Sequence, residues 1–563
     1  MPDFEKVWQA NYPEHLKRNL EYPEVTVHGL LEGTAAKYPD LAATMFMGGK
    51  LTFRQLLDHV YRLAAALAAL GVKKGDRVAI MLPNCPQAVI AYYGVLKAGG
   101  VVVEFNPLYV EREIEYQLKD SGARVMIALD LLVGRISKVR EAAGLENVIW
   151  TSVKDYLKFP LKQLYPIKAK KQGQLVTVPD GPGNHQFTEL IRRYPPKPPE
   201  YEFDPAEDLC CLQYTGGTTG VSKGCMLTHR NMVVNAWQVA NWMPGLRHGG
   251  EKILTVLPLF HSYGMTTCMN LASVIGATMI LLPRFVIDDV LKTIHRYKPT
   301  LYPGAPTMYI AVINHPEVKK YDLKSIGACI SGSAALPVEV QKRFEEITGG
   351  RLVEGYGLSE ASPVTHCNPI FGLRKTGSIG LPFPDTVCKI MDIETGTTEP
   401  PVGEVGELVI QGPQVMKGYW NKPDETELTL RNGWLYTGDI AKMDEDGFTY
   451  IVDRKKEMII AGGYNIYPRE IEEVLFTHHK VQEAAAVGVP DEYRGETVKV
   501  FIVPKPGESP TAEEIIEFCR EKLAKYKVPK YVEFRSELPK TIVGKVLRRV
   551  LAEEERKKRE QPA

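Results

Sequence analysis

The sequence predicts an α/β fold, with a large N-terminal domain of helix-flanked sheets, a β-rich subdomain, and a small α+β C-terminal domain. Three observations predict it. At 563 residues the chain is too long for one ordinary core. Apolar segments at helical spacing alternate with short aliphatic runs from Leu51 to Gly357, the mark of a sheet with substantial parallel pairing. Beyond residue 400 the pattern changes to short strands and turns.

Taken in order, Leu51 to Leu70 has apolar positions at helical spacing and stops at Gly71. "VAIMLP" reads as a strand, "AVIAYYGVLKAGG" as a helix, and "VVVEFNP" as the next strand. Such units recur at "KILTVLPL", "ATMILLP", "SIGACISGSAALP" and "LVEGYG". Then come "GELVIQGPQVMKGYW" and "GWLYTGDIAKMDEDGFTYIVDR", followed by "EAAAVGVPDEYRGETVKVFIV", the helix "TAEEIIEFCREKLA" and a basic tail. The charged cluster "DRKKE" follows a strand and precedes the Gly-rich turn "AGGYN", which places a boundary at Asp453, between domains 1–453 and 454–563.

Composition narrows the function. Lys+Arg 69 against Asp+Glu 68 leaves a formal charge of +1, so no global field recruits nucleic acid or an anionic membrane. The nine cysteines show no CxxC pair, which fits reduced thiols better than zinc or disulfides; adjacent Cys210 and Cys211 should alternate across a strand. The opening "MPDFEKVWQANYPEHL" lacks the basic end and apolar run of a secretory signal, and "LASVIGATMILLP" is shorter than the ~20 residues that cross a bilayer. These features predict a cytoplasmic protein.

The run "YTGGTTGVSKG", Tyr214 to Gly224, is a candidate phosphate loop. Glycines let the backbone come close to an anion, and main-chain N–H groups and hydroxyls can point at its oxygens. No Gly-Lys-Ser/Thr closes the loop, which disfavours a standard P-loop, and a plain turn is the competing reading.

"YTGGTTGVSKG", "PLFHSYG", "GYGLSE", "YTGD", "DRKKEMIIAGGYN" and "PKTIVGKVLRR" occur in this order. Together they resemble the adenylate-forming superfamily of acyl-CoA synthetases, firefly luciferases and peptide-synthetase adenylation domains. "FNPLYVEREIEYQLKDSGA" is similar to bacterial long-chain fatty acid-CoA ligases. The resemblance implies two half-reactions. A carboxylate attacks the α-phosphorus of ATP, giving an acyl-adenylate and pyrophosphate; the thiol of coenzyme A then attacks the acyl carbonyl and expels AMP. The first half brings two anions together, which calls for N–H donors, a cation and a metal.

On this resemblance Thr215, Gly216, Gly217, Thr218, Thr219 and Gly220 wrap the triphosphate, with Lys223 near it. Glu360 and the Thr215 hydroxyl lie near Mg²⁺, a hard cation that takes oxygen ligands. Tyr356, with Gly357 after it, offers an aromatic face to adenine, while Gly332, Ser333 and Ala334 of "SGSAALP" form the adenine-side segment or a plain strand-to-helix turn. Asp439 accepts the ribose hydroxyls and Arg454 adds donors toward ribose or phosphate. His261 lines the acyl pocket and orients the carboxylate; a lone His in an apolar run is otherwise a satisfied core residue. Lys545 bridges carboxylate and α-phosphate as a compact point charge, whereas Lys540 falls too early for that position.

For the second half the resemblance implies a mobile C-terminal domain that rotates about a hinge at Asp453, removing Lys545 and bringing in Gly462 and Gly463 beside the pantetheine arm. It also implies a homodimer. Alternatives within the superfamily are a medium-chain or aryl acid-CoA ligase and a luciferase-like oxygenase. A fatty acyl-AMP ligase is disfavoured because "ASPVTHCNPIFGLRKTGSIGLP" is compact. A non-catalytic acyl- or nucleotide-binding protein would be expected to lose Lys545, Asp439 or Glu360. All three are present.

One segment stands outside these motifs. In "KDYLKFPLKQLYPIKAKK", residues 154–171, six lysines alternate with aromatic and aliphatic residues, and Asp155 is the only acid. Pro160 and Pro166 predict short helical turns rather than one helix. The segment reads as a peripheral contact with the inner face of an anionic membrane, or as a solvated surface insertion.

Overall fold

The computed structural model describes residues 4–171, 176–215, 222–461, 464–491, 494–541 and 545–560. They form two compact units. The larger comprises Gln9–Val387 and Gln411–Leu435; the smaller comprises Met1–Trp8, Cys388–Ile410 and Tyr436–Ala563.

The larger unit is built on a seven-stranded sheet in the order 184–186, 147–151, 125–129, 77–81, 101–104, 209–215 and 223–228. All pairs are parallel except the last. Strands covered on both faces have no polar side to show, which is why "RVAIM" and "VMIAL" read as continuous apolar runs and are buried almost throughout. The helix expected over 51–70 spans Phe53–Ala69 and is opened by Thr52, whose hydroxyl accepts the Gln55 N–H in a capping box. It packs on the helix Pro86–Lys97 across Gly94, where a Cβ would lie 2.8 Å from Leu63. A second sheet orders strands 252–255, 278–281, 42–46 and 49–52, and a third orders 328–331, 351–357, 364–367 and 381–382.

The segment 154–171 departs from expectation in one respect. Val153–Tyr156 is a 3₁₀ turn, but Leu161–Lys171 is a single helix with Pro166 inside it. A proline removes one backbone donor, here the bond to Lys162, and the turns on either side persist.

In the smaller unit, Asp439 to Met443 pair antiparallel with Thr449–Arg454, setting Asp439 opposite Arg454. Asp453 lies at the end of that strand, inside this unit. A further sheet joins Ile459–Ala461, Tyr464–Ile466, Val481–Asp491, Gly495–Pro504 and Tyr531–Phe534. The helices Pro468–Phe476 and Ala512–Lys522 cover it through Ile471, Leu475 and Ile515, which are buried with Ile459, Ile466 and Val500.

Candidate active site

In the larger unit, the strands Leu209–Thr215 and Lys223–Thr228 form an antiparallel pair with Thr215 directly opposite Lys223. Gly216, Gly217, Thr218, Thr219 and Gly220 lie outside the described residues. The flanks are firmly held. The Ser222 hydroxyl donates to Thr215 O at 2.7 Å, Tyr116 Oη donates to Ser222 O at 2.8 Å, and Tyr214 Oη donates to Asp120 at 2.6 Å.

From Lys223 a chain of contacts joins three of the sequence motifs. Lys223 Nζ pairs with Glu425 at 2.5 Å and stands 4.9 Å from the ring centre of Tyr419. Tyr419 Oη donates to Glu360 Oε1 at 2.7 Å. Glu360 sits in the short turn Ser359–Ala361, and Ser359 Oγ is 3.2 Å from Ser262 Oγ, beside His261. His261 Nδ1 accepts the Tyr263 N–H at 3.2 Å, which places any proton of the neutral ring on Nε2; burial pushes its pKa down to about 4. Tyr263 Oη donates to Ile330 O at 2.7 Å, and its ring lies 3.0 Å from where a Cβ on Gly332 would stand, a tight approach that glycine eases for the "SGSAALP" segment. Ser333 holds a φ of 71°, a left-handed conformation uncommon for a side-chain-bearing residue, and Ala334 is exposed. Tyr356 is half-buried and meets His366 edge to face at 6.0 Å. At Gly357 a Cβ would collide with Pro363 O, so only glycine permits that turn.

In the smaller unit, Arg454 Nε pairs with Asp439 Oδ1 at 2.8 Å, and Asp439 is buried. Lys545 belongs to the same cluster. The Arg454 charge, followed by burial, lowers its pKa to about 8, against the opposing pull of Glu457 and Asp439. Its backbone is pinned to Thr541 by two hydrogen bonds, Lys545 N–H to Thr541 Oγ1 and Thr541 N–H to Lys545 O. Lys540 is committed elsewhere, to Glu483 at 2.5 Å. Asp453 accepts the N–H groups of Arg454 at 2.7 Å and Arg469 at 2.8 Å, with Arg548 at 3.7 Å; burial nonetheless raises its pKa to about 6. Gly462 and Gly463 lie outside the described residues, between strands in which Ala461 pairs with Tyr464.

Two residues escaped sequence reasoning. Tyr419, in "MKGYW", is the link between Lys223 and Glu360; its only signal was an aromatic following a glycine. Arg548 ties Asp453, Glu457 and Glu472 together, and nothing in "LRR" distinguished it from its neighbours.

Residues 31–420 match the AMP-binding enzyme family and residues 470–545 match the AMP-binding enzyme C-terminal domain. The chain belongs to the AMP-binding enzyme family. It is 53% identical over 557 residues to a long-chain-fatty-acid–CoA ligase of Bacillus subtilis (strain 168), an alignment covering 98% of each chain. A crystal structure of an anthranilate CoA ligase in complex with anthranoyl-AMP superposes with a TM-score of 0.84 at 28% identity, covering 96% of this chain and 99% of that one. ATP-bound MatB from Rhodopseudomonas palustris gives 0.82 at 29% identity, over 94% and 99%. Membership in this adenylate-forming family makes the motif order of the chain intelligible: the glycine-rich hairpin, the Glu360 turn and the Asp439–Arg454 pair are spread over sequence but gathered into two clusters, one per unit.

Proposed function

We propose that the protein uses ATP to activate a long-chain fatty acid as its acyl-adenylate and then transfers the acyl group to coenzyme A, releasing AMP and pyrophosphate. The observation that carries this reading is the Lys223–Tyr419–Glu360–Ser359–Ser262 chain of contacts, within a sequence 53% identical to a long-chain-fatty-acid–CoA ligase.

The residue roles follow from the chemistry. The Thr215–Lys223 hairpin carries the triphosphate. Glu360, steadied by Tyr419, retains a second carboxylate oxygen, and one carboxylate together with substrate phosphates is the usual donor set of Mg²⁺. When bound, that ion would neutralise phosphate charge; Glu360 and the Thr215 hydroxyl would hold it. His261, neutral with Nε2–H as donor, orients the fatty carboxylate. Tyr356, Gly357, Gly332, Ser333 and Ala334 enclose adenine, and Asp439 with Arg454 holds the ribose. Lys545 supplies the cation that offsets charge as carboxylate meets phosphate. For thioester formation, rotation about Asp453 exchanges Lys545 for Gly462 and Gly463. The variant Asp453→Pro is expected to accumulate adenylate; parallel loss of pyrophosphate release and thioester formation would remove the hinge.

Two partner assignments complete the reading. Among the described residues no helix is long and apolar enough to cross a membrane. The helix Leu161–Lys171 turns Leu161, Leu164 and Ile167 outward, each about half exposed, while Tyr165 and Ala169 face inward. With exposed Phe159, Lys158, Lys162, Lys170 and Lys171, this is an apolar strip edged by cations, suited to an anionic lipid surface. Vesicle co-sedimentation with Lys154, Lys158 and Lys162 changed to Glu tests it; unchanged binding at low salt would remove the contact. The chain is a homodimer in this reading, checked by light scattering. The substrate class is tested by AMP release across saturated acids of increasing length with coenzyme A present. A maximum with short or aromatic acids would favour an aryl or medium-chain ligase instead.

A further inference from the structure

The helix Arg548–Glu560 opens on two arginines that the fold treats differently. Arg549 is exposed and pairs with Glu553 one turn on. Arg548 is turned into the smaller unit, where its guanidinium meets three carboxylates. Nε donates to Glu472 Oε1 at 2.8 Å and Nη2 to Glu472 Oε2 at 2.6 Å, a bidentate fork; Nη1 pairs with Glu457 and stands 3.7 Å from Asp453 Oδ1. A cation in the first turn opposes the helix dipole, so the helix itself has no use for one there. The carboxylates do.

The fork is anchored at one end. Glu472 is buried in the helix Pro468–Phe476, and its Oε1 also accepts the N–H of Ala486 at 2.9 Å, which ties it to the strand Val481–Asp491. Two parallel bonds between a planar guanidinium and a carboxylate fix orientation as well as distance. At the other end Arg548 reaches Asp453 and Glu457, on the segment to which the hinge is assigned. Lys545 stands three residues before Arg548. The turn that carries it is closed by the Lys545 N–H on Thr541 Oγ1 at 3.1 Å and the Leu547 N–H on Pro539 O at 2.8 Å, so Arg548 follows directly on the base of that turn. One side chain therefore holds the base of the Lys545 turn, the hinge segment and the sheet together.

We propose that Arg548 is a positioning residue for adenylation: fixed by Glu472, it fastens the Lys545 turn to the segment 453–457, so that Lys545 and Asp453 keep a set relation while carboxylate meets phosphate. Without this link Lys545 is present and charged, but its ammonium is no longer aimed. A misplacement of ~1 Å can cost about 10²-fold in rate. Thioester transfer, for which Lys545 has left, does not use the link. The task given to Lys545 rests on the activation reading above; the link between its turn and the segment 453–457 does not.

Removing Arg548 alone strands buried carboxylates and invites unfolding. The test is Arg548→Met/Glu472→Gln, in which the glutamine can still accept the Ala486 N–H. Hydrogen exchange on the full-length protein, followed by mass spectrometry of peptides, is expected to quicken about tenfold in 453–458 and 539–547 and to keep its wild-type rate in 481–491. The kcat for pyrophosphate release should fall about tenfold or more with the KM for ATP little changed, while thioester formation from supplied acyl-adenylate is spared. Wild-type exchange in both segments, an equal rise in 481–491, or wild-type adenylation would overturn the proposal. If the double variant does not fold, Glu457→Gln, at a half-buried position, cuts the link from the hinge side, and unchanged exchange in 539–547 would overturn it equally. A Lys545→Ala variant that adenylates normally would remove the activation reading instead, and the exchange result would still decide the link.

Discussion

The two units each carry a lysine in a motif proposed to face phosphate, and they treat it in opposite ways. Lys223 is neutralised: Glu425 sits at 2.5 Å and Tyr419 presents its ring face. Lys545 is set beside a second cation, Arg454, and the strain shows as a pKa lowered to about 8. A neutralised lysine is a structural post that holds the loop's flank in place. A lysine kept near another cation gains most when an anion arrives, because the incoming charge relieves a repulsion as well as forming a contact. In the proposed mechanism the contrast separates a positioning lysine from a reacting one.

The largest effect is expected for Lys545→Ala. Pyrophosphate release should fall about 10²–10³-fold, the usual scale for deleting one transition-state electrostatic contact. Conversion of supplied acyl-adenylate to thioester should be largely spared. Equal losses in the two assays would deny Lys545 its special place and erase the contrast with Lys223.

Asp439→Asn comes next. It leaves Arg454 without its buried anion and removes one of the two charges that support the Lys545 ammonium. A lost charge-assisted hydrogen bond is worth about 1.5–3 kcal/mol, so adenylation should fall ~10–100-fold. Protein stability measured by thermal melting separates this from unfolding; a variant with wild-type adenylation would remove Asp439 from the site.

The pH profile provides a milder test. A lysine whose folded pKa is depressed loses its proton earlier, so its charge is complete below about pH 8 and lost above it. The kcat/KM for adenylation, which reports the free enzyme, should therefore decline through about pH 8 and approach a tenfold loss per unit beyond. Arg454→Met removes the first cause of the shift and should move this limb upward. A limb that stays in place in that variant would mean another group titrates.

Much of this was legible in the sequence, and what was not has a physical pattern. The parallel sheet declared itself because strands buried on both faces must be apolar throughout, as Val125–Leu129 is. Asp439 and Arg454 were singled out by motif as ribose-side candidates, and their pairing with each other follows from a strand register that places one opposite the other. Pro166 misled, because proline's cost is local and a helix can absorb one lost bond. Tyr419 and Arg548 were invisible for a different reason. Their importance lies in partners 59 residues away for Tyr419 and 76 for Arg548, and no local spacing encodes a contact made by tertiary packing.

The smallest effect is expected for Tyr419→Phe, and it tests the post rather than the chemistry. The ring stays, so the face presented to Lys223 is kept, while the hydroxyl that donates to Glu360 is removed. Glu360 then loses one constraint on its carboxylate but keeps its charge. If its task is to hold Mg²⁺ beside the triphosphate, the concentration of Mg²⁺ giving half-maximal adenylation should rise several-fold, with the saturating rate nearly unchanged. The scale follows from the ~0.5–1.5 kcal/mol net worth of a typical hydrogen bond. Glu360→Gln, which removes the charge, should raise the same concentration further. A Tyr419→Phe variant that loses saturating rate without any change in Mg²⁺ dependence would show that the tyrosine acts on the reacting groups themselves, and the division between a positioning unit and a reacting lysine would have to be redrawn.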